Sequence, residues 1–195
     1  MELSFWKNKR VLITGHTGFK GSWMTFWLNQ LGAKVAGFSL APEDSPNLFD
    51  LLNLENSCEN YIEDIRNIDA IKKRIADFKP DVVFHLAAQS IVLRSYEEPV
   101  MTWDTNVMGT LNLLEACRQL QNPCSVVVIT TDKVYENKEW HYAYRENDRL
   151  GGYDPYSSSK AAAELVISSW RNSFFKQPTN VKIASARAGN VIGGS

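Results

Sequence analysis

The chain has 195 residues, 44% of them hydrophobic and 22% charged, with a formal net charge of −1 at pH 7. A chain of this length fits one α/β domain with at most a small appendage. Its balanced charge gives no ground for binding nucleic acid or an anionic membrane, and no apolar run approaches the roughly 20 residues that span a bilayer. The opening MELSFWKNKRVLITG has no apolar signal core before its first strand, so a cytoplasmic protein is expected. Cys58, Cys117 and Cys124 are odd in number and lack CxxC spacing, which points to reduced thiols. His16, His85 and His141 are scattered, so no metal site is expected.

In chain order, RVLIT (10–14) reads as a strand and Phe19 to Leu31 as a helix stopped by Gly32. KVAGF (34–38) is the next strand, followed by the Pro-punctuated loop APEDSPNLF and a short strand near Asn60–Glu63. Ile68 to Phe78 reads as a helix ended before Pro80, and DVVFHLAA (81–88) as a strand. A long helix covers about Met101 to Leu120. SVVVIT is a strand, Tyr156 to Phe175 a helix, and VKIASAR (181–187) a strand. Alternation of this kind means parallel strands joined by crossover helices, an α/β doubly wound sheet of Rossmann type. The chain stops at RAGNVIGGS directly after a strand. The expectation is therefore one dinucleotide-binding domain over 1–195 with its C-terminal substrate-binding portion missing.

Between the first strand and the first helix lies TGHTGFKG, with Gly15, Gly18 and Gly21 at intervals of three. Gly15 would permit the tight turn, Gly18 the approach of backbone to a pyrophosphate, and Gly21 close packing of helix on strand. The helix N-terminus would then offer N–H groups to the anion. The second strand ends at Ser39, where NAD sites usually carry an acid; its hydroxyl can still bond a ribose. No Arg or Lys is expected nearby to neutralise a 2′-phosphate, and Glu43 and Asp44 would repel one, which favours NAD over NADP. Asp64, after the third strand, either accepts from the adenine amine or caps the next helix.

In DPYSSSKAAAEL, Tyr156 and Lys160 stand four apart at a helix start and share a face. An ammonium beside a phenol favours the phenolate and yields a general base for a sugar or alcohol hydroxyl. The stretch VVVITTDKVY (126–135) raises a further question, because a doubly buried strand ends on a carboxylate and an amine, Asp132 and Lys133. The carboxyl ends of strands are where ligands bind in open α/β sheets. The bland alternatives are a turn cap at Asp132 and a solvated Lys133 beside Glu136.

TGxxGxxG, the strand-end Thr131 and YSSSK together resemble the extended short-chain dehydrogenase/reductase family of nucleotide-sugar enzymes. HLAAQS (85–90) and TNVMGTLNLLEA (105–116) are similar to that family's fourth-strand motif and following helix. The resemblance implies NAD contacts from Thr17, Gly18, Phe19, Lys20 and Gly21, from Asp64 and Ile65, from Leu86, Ala87 and Ala88, and from Thr105. It implies a catalytic triad of Thr131, Tyr156 and Lys160, and sugar contacts from Gln89, Ser90 and Asn190. In the family's sugar-nucleotide 4,6-dehydratases the positions of Asp132 and Lys133 hold an acid–base pair, and TTDKVYENKEW most resembles the cytidine-linked branch. By that resemblance Asp132 is the acid and Lys133 the base, with a shared or reversed assignment open. An epimerase or reductase using Tyr156 and Lys160 alone, and a bare NAD-binding module, are the competing expectations. The resemblance also implies a homodimer or higher oligomer, paired through the helices near Met101–Leu120 and Tyr156–Phe175.

Overall fold

The computed structural model describes residues 3–43, 45–176 and 179–194. Asp44 lies outside them. Six strands, β1 (Arg10–Thr14), β2 (Lys34–Ser39), β3 (Glu59–Ile62), β4 (Val82–His85), β5 (Cys124–Thr131) and β6 (Val181–Ala188), form one parallel sheet in the order β3-β2-β1-β4-β5-β6. The order reverses between β1 and β4, and in a doubly wound sheet the crevice at that switch point is the ligand site.

Successive side chains of the central strands go to opposite layers, as period-2 geometry requires. Leu12, Val83, Val126 and Val128 pack with α3 (Ile68–Phe78), α6 (Gly109–Cys117) and α7 (Pro155–Ser173) on one face. Val11, Ile13, Val35 and Val82 pack with α1 (Phe19–Gln30) on the other. Burial on both faces explains why β1 and β4 read as continuous apolar runs instead of alternating ones. α3 begins where Asn67 accepts a hydrogen bond from Ala70 N, a side-chain N-cap. α7 begins where Asp154 accepts from Ser157 N, with Pro155 in its first turn.

The helix expected over Met101–Leu120 is composite. α5 (Pro99–Trp103) runs into a π-turn at Asp104–Met108 and then into α6, which ends at Cys117. One inserted residue at a π-turn leaves no hydrophobic signature, so the sequence could not show it. The loops hold two short helices as well, α2 (Leu48–Leu51) and α4 (Val92–Glu97). Among the described residues no helix is long and apolar enough to cross a membrane, and no group of His, Cys, Asp or Glu could hold a metal ion. The three cysteines are free thiols.

Candidate active site

A groove of about 630 Å³ runs along the carboxyl ends of the strands. Its floor is the turn between β1 and α1. Gly15 adopts φ +76°, and a Cβ there would fall 2.7 Å from Ala87 N. A Cβ on Gly21 would fall 2.0 Å from the Gly15 carbonyl oxygen, so only glycine lets α1 start this close to the strand. Gly18 differs: its nearest obstacle is 3.5 Å away, which leaves the backbone open toward the groove. Gly18 N-caps α1 without a side-chain bond, so the first-turn N–H groups face a ligand site. These features fit a pyrophosphate. Lys20 and Lys160 add positive charge at the same wall, near enough for Lys20 to help lower the pKa of Lys160.

Every residue expected to hold the cofactor lines this one groove: Gly15, Thr17 to Gly21, Ser39, Asp64, Ile65, Leu86 to Ala88, Thr105, Tyr156 and Lys160. Ser39 Oγ lies 2.8 Å from Thr17 Oγ1, which donates to Leu40 O. Ser39 therefore donates to Thr17 and keeps an oxygen lone pair for a ribose hydroxyl. Asp64 is not the cap of α3, a place taken by Asn67. It accepts from Arg66 N at 2.9 Å and from the Arg66 guanidinium, whose hydrogen bonds hold its carboxyl below the usual range. The expectation that no cation stands near the 2′ position needs correcting: Arg94, from α4, reaches Glu43 at 2.7 Å. Fifty-one residues separate the two, so only the fold reveals the pair.

Beneath the groove, a buried relay ties β1, β4 and α6 together. Ala87 N donates to Thr14 Oγ1, which lies 2.6 Å from His85 Nδ1, while His85 Nε2 is 3.1 Å from Thr110 Oγ1. Thr110 gives its only hydrogen to Asn106 O. His85 is therefore the Nε2–H tautomer, with Nδ1 accepting from Thr14. Burial, with Lys160 adding to it, pushes its pKa down to about 3. Asn106, in the π-turn, accepts from Gln89 N and donates to Gln89 O and Ser159 Oγ.

Gln89, 7% exposed, lines the groove beside Ser90; its amide nitrogen donates to Ile91 O and Thr102 Oγ1 and its Oε1 accepts from Ile91 N, which shapes the loop after β4 and leaves one Oε1 lone pair. Ser90 is exposed on the groove wall.

At the end of β5, Thr131 accepts from Lys133 N and opens a single 3-10 turn, Asp132–Val134. Thr131 Oγ1 donates to Asp132 Oδ1 at 3.1 Å, and Lys133 Nζ lies 3.5 Å from the same oxygen. Lys133 also donates to Asn190 Oδ1 at 3.2 Å, so the ends of β5 and β6 meet through these side chains and not through Glu136. Asp132 and Lys133, 57% and 43% exposed, stand at the rim just beyond Ile129 and Thr130, which line the groove.

Tyr156 is 8% exposed. Burial raises its pKa, a bond with Thr131 opposes that, and the charges of Asp132 and Asp154 push it further up. The expected lowering by Lys160 is absent, because the Lys160 ammonium turns to Ile129 O at 3.4 Å. Burial, then the charge of Lys20, pulls Lys160 down to about 8, against the pull of Glu164. Because this folded value lies below the unfolded one, the unfolded chain binds more protons between them. Lys160 should therefore cost stability below pH 8 and release that cost as pH rises toward about 10.5. Urea unfolding across that window should show wild type gaining up to about 1.4 kcal/mol per pH unit relative to Lys160→Met.

Two groups escaped the sequence reading altogether. Arg187, on β6, forks onto the Glu164 carboxylate of α7 and bonds Tyr135 Oη and Glu146 O. Glu164 follows Lys160 by four positions on the same helix face, the one signal that could have flagged it.

A parallel sheet switching order over a glycine turn, with Tyr156 and Lys160 on the helix beside it, defines a dinucleotide-fold protein of the short-chain dehydrogenase type. A family model for GDP-mannose 4,6 dehydratase matches residues 12–191, and the chain belongs to that family. It is 53% identical to CDP-glucose 4,6-dehydratase of Salmonella typhimurium, over 100% of this chain and 55% of that protein. It is 33% identical to CDP-paratose 2-epimerase of Salmonella typhi, over 81% of this chain and 52% of the other. The structure of Thermus thermophilus UDP-glucose 4-epimerase in complex with NAD superposes with a TM-score of 0.76 at 31% identity, covering 91% of this chain and 54% of that one. The chain thus spans about half the length of the relatives it matches.

Proposed function

We propose that this chain is the NAD-binding and catalytic-residue portion of a CDP-glucose 4,6-dehydratase. The observation that carries the proposal is the cluster of Thr131, Asp132, Lys133 and Tyr156 at the end of β5, beside a groove built for a dinucleotide. The 53% identity to the Salmonella enzyme supports the cytidine-linked substrate.

NAD bound in the groove would accept hydride from C4 of the sugar and return it to C6. Tyr156 takes the proton of the sugar 4-hydroxyl, and Lys160 holds the nicotinamide ribose. Once C4 is a ketone, the C5 proton is acidic because the carbanion left behind is an enolate. Lys133 removes that proton while Asp132 protonates the departing 6-hydroxyl, which leaves as water. A neutral amine and a protonated acid are needed at that moment. The product is a 4-keto-6-deoxy sugar with no net oxidation, so the reaction is that of a lyase.

Incubation with CDP-glucose tests this, since the keto-deoxy product absorbs in alkali and an epimerised sugar does not. The 195-residue chain should bind NAD yet turn over poorly, because its relatives are nearly twice as long; robust turnover by this chain would contradict that portion of the proposal. In a form that turns over, Lys133→Ala should lose about 10²- to 10⁴-fold in rate and accumulate NADH after the first hydride step. Loss of activity without NADH accumulation would place Lys133 elsewhere.

The same reading includes a homodimer. Leu93, Tyr96, Val100, Trp103 and Leu165 are exposed apolar side chains on α4, α5 and α7, which pack against one another. Exposed apolar side chains on helices packed together suit a helix-to-helix contact between copies.

A further inference from the structure

Three charged side chains that the chemistry above does not use stand together at the β2 end of the groove. Arg94 Nη1 donates to both oxygens of Glu43, at 2.7 and 2.9 Å, and Arg94 Nε donates to Glu98 at 3.2 Å. All three line the groove together with Ser39, which ends β2. In this fold the end of β2 is where the 2′ position of the adenosine ribose is read. We propose that Glu43 and Glu98 hold Arg94 in check, and that this trio sets the choice between NAD and NADP; the proposal rests on the NAD reading.

One guanidinium and two carboxylates leave a net charge of −1 facing the 2′ position. A 2′-phosphate, with about two negative charges, meets repulsion there and finds Arg94 Nη1 and Nε already engaged by Glu43 and Glu98. A 2′-hydroxyl meets neither obstacle and can donate to Ser39. Arg94 itself has the planar fork that suits phosphate. With side-chain exposures of 33% for Arg94 and 63% for Glu43, the pair is open to an incoming ligand. The residues for NADP binding are therefore present and masked by their own partners.

The test is calorimetric titration of the chain with NAD and with NADP, for wild type, Glu43→Gln/Glu98→Gln, and the same pair with Arg94→Met added. The double variant should bind NADP more tightly by on the order of tenfold, with NAD affinity changing far less. The gain should shrink in high salt and vanish in the triple variant. No gain for NADP in a double variant that still binds NAD overturns the proposal, and so does a gain that survives Arg94→Met. Wild type binding neither dinucleotide would instead remove the NAD reading, and the trio's role with it.

Discussion

Arg187→Met should lower the unfolding free energy by about 3–5 kcal/mol, the cost of leaving one partner of a buried ion pair alone. The Glu164 carboxylate is 5% exposed and would keep only the Thr130 and Ser185 hydroxyls, at 2.6 and 3.0 Å. Set against the roughly 5–15 kcal/mol that a domain has in total, this is a large fraction. The double variant Glu164→Gln/Arg187→Met should lose much less than the single one, since no charge is stranded. The pH dependence distinguishes this from a mere packing defect. In the wild type, burial works to raise the Glu164 pKa, and the bonds from Arg187, Thr130 and Ser185 outweigh it, so the folded value is lowered. The stabilisation is then present above the unfolded value of about 4.3 and lost as pH falls through the folded one. Without Arg187, burial dominates and Glu164 takes up a proton more readily. The gap between wild type and variant should therefore narrow from pH 7 to pH 5 in urea unfolding, at unchanged m.

Gly21→Ala should be the most damaging single substitution in the phosphate turn, and Gly18→Ala its informative contrast. At Gly21 the new methyl would meet the Gly15 carbonyl oxygen at 2.0 Å and His16 Cα at 2.6 Å, both main chain. Neither can step aside as a side-chain end could, so a loss of about 3 kcal/mol, the upper end of ordinary overpacking, is expected. NAD binding should disappear with it, because the start of α1 must shift away from β1. At Gly18 the methyl finds its nearest neighbour at 3.5 Å and φ is −76°, so the fold should tolerate it to within about 1 kcal/mol. Affinity for NAD should nevertheless fall, since the methyl stands where backbone is to meet the pyrophosphate. Thermal unfolding separates the two variants, and titration with NAD completes the comparison. A Gly18→Ala protein with undiminished affinity would show that the dinucleotide does not cross this turn.

Local and nearly local information made much of the molecule readable. β1 and α3 fall on the expected residues, 10–14 and 68–78, because a run of β-branched and aliphatic residues marks the one and the apolar spacing that stops before Pro80 marks the other. The glycine spacing and the Tyr156–Lys160 step are legible for the same reason: each encodes its geometry within one turn of chain. Elsewhere the deciding partner was distant. Arg94 meets Glu43 across 51 residues and Arg187 meets Glu164 across 23, and neither pair leaves a periodicity to read. The bonds of Asn106, in the π-turn, to the Gln89 main chain likewise join residues 17 positions apart. Tyr156 was expected to be acidified by a neighbour that in fact turns to Ile129 O, because a spacing of four residues fixes the face but not the side-chain direction.

The hydroxyl–imidazole–hydroxyl line from Thr14 through His85 to Thr110 has a consequence for how pH would govern this protein. A histidine usually switches near neutrality, but this one holds a single protonation state until strongly acid conditions. The platform under the ligand is thus electrically silent over the whole range in which the protein would operate. Among the groups at the site, Lys160, brought down to about 8, is then the one to which a titration of activity above neutral pH should trace, and His85→Gln should leave its midpoint where it was.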